Sequence, residues 1–549
     1  MTDAFELPLS LVQALAQRAA QTPDRIALRF LADAPAEQAV LSYRDLDLRA
    51  RTIAAALQAR AGFGERAVLL FPSGPDYVAA FFGCLYAGVI AVPAYPPESS
   101  RQHHQQRLLS IIDDAEPRLL LTVTALYDNL QGLEALAADN APELLAVDGL
   151  DPALASAWRE PALAGDDIAF LQYTSGSTAL PKGVQVSHGN LVANEQLIRH
   201  GFGIDLNPDD VIVSWLPLYH DMGLIGGLLQ PIFSGVPCVL MSPGYFLARP
   251  QRWLQAISEY GGTISGGPDF AYRLCSERVS EAALAGLDLS RWRVAYSGSE
   301  PIRQDSLATF AEKFAACGFT PDSFFASYGL AEATLFVSGS RRGQGIGALE
   351  LDAEAFAANR AEAGQGSVLM SCGYPQPGHA VRIVEPQHQE VLGDNRVGEI
   401  WAAGPSIALG YWRNPEASAR TFVEMDGQTW LRTGDLGFMR EGEVFVTGRL
   451  KDMLIVRGQN LYPQDLEKTL EREVDVLRKG RVAVFAVDDQ GEEGVGVAVE
   501  ISRNVQKTVR PEALIKMLRQ VIADACRQAP AVVLLLNPGA LPKTSSGKL

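Results

Sequence analysis

No long basic run occurs anywhere in the chain, and its 47 Lys and Arg are outnumbered by 64 Asp and Glu, for a formal net charge of −17. Nucleic acid and anionic membrane surfaces are bound through clustered cations, so neither is an expected partner. A polyanionic ligand would have to be held by local dipoles and a metal. Paired cysteines are missing too. Cys84, Cys238, Cys275, Cys317, Cys372 and Cys526 are scattered with no CxxC, which argues against a zinc ribbon or a disulfide framework and leaves reduced cytosolic thiols as the expectation. The start, MTDAFELPLS, lacks a basic segment followed by an apolar one, so no signal peptide is read and the expected location is cytoplasmic. Uninterrupted hydrophobic runs are likewise absent. Tyr77 to Pro97 and Met222 to Ala248 carry no charge, but Gly83, Gly88 and Pro93 break the first, and Gly226, Pro231, Gly235 and Pro237 break the second. Such punctuation predicts buried helix, turn and strand pieces, with no membrane insertion.

What is present is ordinary globular material, 47% hydrophobic and 20% charged, in 549 residues, enough for one large domain and a smaller one. From about residue 65, short β-branched runs (RAVLLF, RLLLTV, DIAFLQY, VIVSWL, PCVLM, RVAYSG) recur between longer helical patterns. That alternation predicts an α/β fold of parallel sheets flanked by helices, with ligand loops at the carboxyl ends of the strands. After TGRLKD, near Thr447, the pattern changes to the short strands MLIVRG, VAVFAV and GVGVAVEI and a helix at Pro511 to Gln528, a smaller α+β domain. The predicted division is 1–447 and 448–549.

In DIAFLQYTSGSTALPKGV a Ser/Thr/Gly loop directly follows a strand, an arrangement whose N–H groups and hydroxyls can wrap a phosphate. It does not match the Walker pattern GxxxxGK[ST], since Ser177, Thr178, Ala179, Leu180 and Pro181 between Gly176 and Lys182 put no Gly before the lysine. Ser187 is the expected N-cap of the next helix. A second lysine behind a Ser/Ser/Gly turn, Lys548, closes the chain in LPKTSSGKL. Taken singly, Tyr328 reads as a packed aromatic, Asp435 as a turn residue and His220 as a structural histidine. The other histidines form no ligand cluster. The apolar run Met222 to Leu229 is either core or the wall of an alkyl tunnel, and its glycines leave space.

Taken in order, YTSGSTALPKGV, SYGLAEAT, LRTGDLG, GRLKD and PKTSSGKL resemble the phosphate, adenine-and-magnesium, ribose, hinge and final lysine motifs of the acyl-adenylate-forming (ANL) superfamily of ligases. The likeness runs over nearly the whole chain. Ala179 departs from it, since most of the superfamily has Gly there. WLPLYHDMGLIGGLLQPI and FFGCLYAGVIAVPAYPP resemble fatty acyl-AMP ligases in particular. The resemblance implies an adenylate-forming enzyme fold and ATP-dependent activation of a medium- or long-chain fatty acid as acyl-AMP, with pyrophosphate released. The acyl group would then pass to the phosphopantetheine arm of an acyl carrier or peptidyl carrier domain. ATP and Mg2+ are the implied cofactors. The substrate carboxylate is already ionised at neutral pH, so charge neutralisation and alignment matter more than a base.

The same resemblance assigns roles. Thr174, Ser175, Gly176, Ser177, Thr178 and Lys182 would hold the β and γ phosphates, with Glu332 and Thr178 on the metal. Gly298, Ser299, Glu300 and Pro301 would wall adenine together with Ser327, Tyr328 and Gly329, while Asp435 and Arg449 would meet the ribose. Lys451 would be the hinge. Lys548 would bridge the carboxylate and the α-phosphate. Tyr219, His220, Asp221, Met222 and Ile225 would form the mouth and wall of the acyl site, His220 acting in catalysis as well. A starter domain of a lipopeptide synthetase of the pyoverdine type, continuing beyond Leu549, is also implied.

The stretch between Arg341 and Gly373 looks like an insertion with a helical centre, DAEAFAANRAEA, and is expected to be a compact element. In fatty acyl-AMP ligases such an insert is held to restrict the small domain's swing toward a coenzyme A-competent pose. The rival reading is a fatty acyl-CoA synthetase. A catalytically silent acyl-nucleotide scaffold is the rival of another class, and the retention of Lys182, Glu332, Asp435 and Lys548 argues against it.

Overall fold

In a computed structural model, the described residues are 8–34, 38–95, 102–133, 136, 141–174, 181–204, 209–456, 459–489, 492–526 and 528–541. The chain forms two compact units. The first holds Met1–Ile346, Gly373–Ala380 and Ala402–Leu431, and the second holds Gly347–Cys372, Val381–Trp401 and Arg432–Leu549.

Among the described residues the first unit contains a nine-stranded and a six-stranded sheet. At the centre of the larger sheet, Phe324–Gly329, Val294–Ser297, Ile264–Gly267, Ile212–Ser214, Cys238–Met241 and Ile26–Leu31 run parallel. Antiparallel strands, Ala39–Ser42 on one side and Phe336–Gly339 followed by the short Tyr374–Pro375 on the other, complete its edges. In the smaller sheet, Arg66–Leu70, Ile90–Ala94, Leu119–Thr122 and Ile168–Thr174 are parallel, and Lys182–Ser187 folds back antiparallel on the last of them. Continuous apolar runs such as Val294–Ser297 are buried along their whole length, as strands covered on both faces must be.

The helices Gln251–Tyr260, Asp269–Arg278 and Gln304–Phe314 contribute to an interlocked aromatic core. Trp253 meets Trp292 edge-on at 5.2 Å and Tyr272 meets Phe310 at 5.1 Å, while the Tyr272 hydroxyl donates to Tyr296 O at 2.7 Å. Strands that carry the candidate site are thereby fixed from behind. Ser187 caps helix His188–Gly201 in a reciprocal box with Asn190, as its position predicts.

Tyr77 to Ala87 lies within the buried helix Pro75–Ala87, and the chain then returns as strand Ile90–Ala94. Among the described residues, no helix is long and apolar enough to cross a membrane. Met222–Leu229 winds as a π-helix. Nothing in an all-apolar, glycine-rich octet distinguishes a 4.4-residue turn from a 3.6-residue one, so the winding is invisible in the sequence. Close approach of the backbone accompanies it: a Cβ on Gly223 would lie 2.2 Å from Pro217 O.

In the second unit, Val482–Asp489 and Glu492–Glu500 pair antiparallel, Val532–Leu536 adds in parallel, and helices Pro463–Glu473 and Pro511–Cys526 cover them. This core is aliphatic, with Leu466, Leu470, Val497, Leu518 and Ile522 buried together. The insertion is a hairpin, Ala348–Leu351 against Ala363–Met370. Its helix, Ala353–Ala357, is shorter than the twelve-residue pattern suggests. Asp352 caps its start, and Asn359 at φ 58° turns the chain left-handed just past its end. Leu351, Phe356 and Leu369 bury against Val397, Phe438 and Tyr462.

Candidate functional site

The site is built first from the ends of a β-hairpin. Thr174 ends one strand and pairs with Lys182, which begins the next. Ser175, Gly176, Ser177 and Thr178, between them, lie outside the described residues, as does Lys548. The Lys182 Nζ sits 4.8 Å from the centroid of the Tyr411 ring. The Tyr411 hydroxyl in turn donates to Glu332 Oε1 at 2.8 Å. Burial, then the neighbouring Glu332 carboxylate, pushes the phenol pKa far up, so it remains a donor. One phenol thus joins the lysine expected on the phosphates to the glutamate expected on the metal.

Tyr411 went unread in the sequence, although it belongs to a segment that ties both motifs together. Gln185 N donates to Gly410 O at 2.9 Å, and Trp412 N donates to Gly183 O at 2.7 Å. On the other side Ala408 N donates to Glu332 O at 2.9 Å, and Thr334 Oγ1 donates to Ser406 O at 2.6 Å. The local signal is only a Gly-Tyr pair in an apolar stretch, and its importance lies in contacts with segments far away in sequence.

Glu332 sits in a short 3-10 turn, Ala331–Ala333, after strand Phe324–Gly329. The turn ends on Thr334 at φ 69° and ψ −58°, a sterically poor conformation for a β-branched residue. At the strand end, a Cβ on Gly329 would lie 1.7 Å from Leu335 O, so only glycine fits. Ser327, Tyr328 and Gly329 wall a partly open pocket of about 40 Å³. Met222 and Gly226 of the π-helix line the same pocket, and aromatic residues Phe202, Tyr296 and Phe336 contribute to the lining. Phe202 and Tyr296 stack at 5.5 Å and 12°.

Ser299 also lines the pocket, in a left-handed conformation at φ 70°, and its hydroxyl points to Met222 Sδ at 3.7 Å. A reciprocal clasp holds its loop. Glu300 Oε1 accepts from Phe270 N at 2.6 Å, and Asp269 Oδ1 accepts from Arg303 N at 2.9 Å. Burial, with the Glu300 charge adding to it, raises the Asp269 pKa to about 6. Gly298 and Pro301 flank Ser299 and Glu300 in the same loop and do not line the pocket. Of the residues expected at the acyl site, Met222 lines the pocket, whereas Ile225 is fully buried and does not. Asp221 Oδ1 accepts from Met222 N at 2.7 Å and caps the π-helix. Tyr219 stands between the rings of Tyr95 and His220, each 5.1 Å away, and its carbonyl accepts from Gln172 Nε2 at 3.0 Å.

In the second unit Asp435 and Arg449 are partners across two antiparallel strands, with Oδ1 and Nε 3.1 Å apart. Asp435 is buried. Thr433 and Glu399 shape its turn, Glu399 Oε1 accepting from Gly434 N at 3.2 Å and Thr433 Oγ1 accepting from Asp435 N at 3.1 Å. Lys451 is exposed, and partial desolvation by the protein around it lowers its ammonium pKa.

The donor set suits a triphosphate-bound Mg2+. Magnesium takes one or two carboxylates and completes its shell with phosphate oxygens and water. Glu332 offers a single oriented carboxylate, and among the described residues no cluster of three or more His, Cys, Asp or Glu could hold a metal by protein groups alone.

The AMP-binding enzyme family matches residues 15–412. The chain is similar to the medium-chain-fatty-acid–acyl-carrier-protein ligase JamA of Moorena producens, at 41% identity over 98% of this chain and 93% of that one. It is similar to the long-chain-fatty-acid–AMP ligase FadD26 of Mycobacterium marinum, at 37% identity over 98% and 95%. The solved fatty acyl-adenylate ligase of L. pneumophila, in complex with acyl adenylate and pyrophosphate, aligns with a TM-score of 0.78 at 37% identity, covering 98% and 94%.

Proposed function

Since the chain belongs to the AMP-binding enzyme family, we propose that it activates a medium- or long-chain fatty acid with ATP and loads the acyl group onto a carrier protein. The observation that carries this reading is the pocket itself. Met222 and Gly226 of the apolar π-helix line it together with Tyr328 and Gly329 of the strand end, and Glu332 follows three residues after Gly329 on the same chain segment. This supports an alkyl chain lying beside a nucleotide and its metal.

In the proposed reaction the fatty carboxylate oxygen attacks the α-phosphorus, the bond to the β-phosphate oxygen breaks, and pyrophosphate leaves with its charge. Lys182 with Thr174, Ser175, Gly176, Ser177 and Thr178 would hold the β and γ phosphates. Tyr328 and the Gly298–Pro301 loop would wall the adenine, and Asp435 with Arg449 would meet the ribose. Mg2+ bound through Glu332 would supply neutralising charge to the phosphate oxygens. Lys548 would neutralise the carboxylate and α-phosphate as they converge, and His220 would stand at the mouth of the acyl site. In the second step the phosphopantetheine thiolate attacks the acyl carbonyl and AMP departs.

We place the moving small domain at 448–549, with Lys451 as its hinge. The Gly347–Cys372 hairpin supports a carrier thiol over coenzyme A, because it packs Phe356 on Tyr462 at 5.3 Å and Leu351 among strand residues close in sequence to that hinge. Laurate, ATP and Mg2+ should yield lauroyl-AMP and pyrophosphate by mass spectrometry. Added phosphopantetheinylated carrier should become acylated, and added coenzyme A should give little product. Robust acyl-CoA synthesis would transfer the assignment to the synthetase reading. Absence of any acyl-AMP would remove it altogether.

A further inference from the structure

Tyr411 lies in none of the motifs to which a role in ATP chemistry has been given, yet it touches two residues that have one. Its hydroxyl donates to Glu332 Oε1 at 2.8 Å, its ring lies 4.8 Å from Lys182 Nζ, and the residue is only 6% exposed. We propose that Tyr411 is a positioning residue for the metal–triphosphate: it sets which carboxylate oxygen of Glu332 is turned toward the cation and holds the Lys182 ammonium in place for the phosphates. This rests on the reading of the chain as an ATP-dependent ligase.

Three observations carry it. A glutamate side chain and a lysine side chain are both long and rotamer-rich, so holding them ready before ligand arrives requires contacts that restrict them. The phenol supplies one contact to each. Its O–H holds Oε1 and so fixes how the carboxylate is turned, while its ring face attracts the ammonium through the π quadrupole.

The backbone makes the arrangement stiff. Val184 and Tyr411 form a β-bridge, Trp412 N donates to Gly183 O at 2.7 Å, and Ala408 N donates to Glu332 O at 2.9 Å. Tyr411 is therefore built into both the strand that begins at Lys182 and the turn that carries Glu332. A buried tyrosine serving only as packing would satisfy its hydroxyl on a neighbouring carbonyl. Here the hydroxyl meets a carboxylate and the ring meets a cation.

Tyr411→Phe keeps the ring and removes only the hydroxyl. ATP alone is not consumed, so its binding can be followed by calorimetry across a Mg2+ series without fatty acid. The Mg2+ concentration giving half-maximal ATP binding should rise about five- to tenfold, from the loss of a hydrogen bond to a charged group. The kcat for acyl-AMP formation should fall about tenfold while KM for fatty acid stays put. Placed on Glu332→Gln, the same change should add less than about twofold, since its effect runs through that carboxylate. Tyr411→Leu should in addition weaken ATP binding at saturating Mg2+, because Lys182 loses the ring face. An unchanged Mg2+ requirement in Tyr411→Phe, or a full additive loss in the Glu332→Gln background, would overturn the proposal. A wild-type protein that binds no Mg2+–ATP would instead overturn the ligase reading on which it rests.

Discussion

The Met222–Leu229 wall and the Gly347–Cys372 hairpin are both small elements fixed by close contacts, but they are shaped by different means. In the wall, backbone meets backbone: Gly223 lies against the Pro217 carbonyl, and the winding is a π-helix. In the hairpin, side chains do the work, with Phe356 stacked on Tyr462 at 5.3 Å and Leu351 and Leu369 buried beside it. Geometry of the first kind suits a surface that must fit a ligand. Packing of the second kind suits an element whose task is to stay attached. The wall should therefore be sensitive to a single added methyl group and the hairpin to a single removed ring.

The harshest test of that division asks whether the fixed groups beside the wall suffice for chemistry without the second unit's lysine. Lys548→Ala should lower acyl-AMP formation by roughly two orders of magnitude, with ATP binding by calorimetry nearly unchanged. Near wild-type adenylation would mean that the first unit works alone.

On the hairpin side, Phe356→Ala removes a buried ring and should cost about 3 kcal/mol in denaturant unfolding followed by a probe in the second unit. Acyl-CoA formation should rise several-fold in the same variant. Loss of stability with no change in acceptor preference would leave the hairpin a packing element alone.

On the wall side, Gly223→Ala must displace the Pro217 carbonyl and should cost about 2 kcal/mol, with acyl-AMP formation impaired for every chain length. The clasp behind the wall gives a smaller, pH-dependent effect. Asp269 has a folded pKa of about 6, above its ordinary 3.8. Its protonated form is thus favoured by folding, a contribution that is complete below the unfolded pKa and lost as pH rises through 6. Between pH 5 and 7 the wild type should lose about 1 kcal/mol of stability from this group, and Asp269→Asn should flatten that slope. A slope unchanged by the substitution would assign the titration elsewhere. Gly226→Ala should do least to stability, because nothing lies within 3.6 Å of an added Cβ. Its methyl group would enter the pocket, so the acyl-length profile alone should shift, toward shorter chains.

Strand positions were legible because parallel strands covered on both faces must be continuously apolar, and RAVLLF and RVAYSG form the strands expected of them. Ser187 was legible because capping is local, depending on residues three apart. The π-helix was not, since its period leaves no mark in a run with no polar face. The hairpin's helix was over-read because DAEAFAANRAEA has helical propensity throughout, while Asn359 and the return strand end it after Ala357. At the site, Ser299, Ser327, Tyr328, Gly329 and Met222 come together around one pocket, and Asp435 meets Arg449. Tyr411 escaped because the partners that define it, Lys182 and Glu332, are distant in sequence and reach it only through the fold.

Thr334 sits in a conformation worth about 1–3 kcal/mol of strain, held by its hydroxyl on Ser406 O at 2.6 Å and by the Ser406 hydroxyl on Ala333 O at 3.2 Å. Strain of this kind is met once, when the chain folds, and not again at each turnover. It also sets two kinds of selection against each other. A glycine at 334 would relax the turn and raise resistance to heat, while letting Glu332 wander from the place its chemistry needs. A screen for thermostability alone would therefore favour that glycine and discard activity with it, whereas a screen for turnover would keep the awkward threonine.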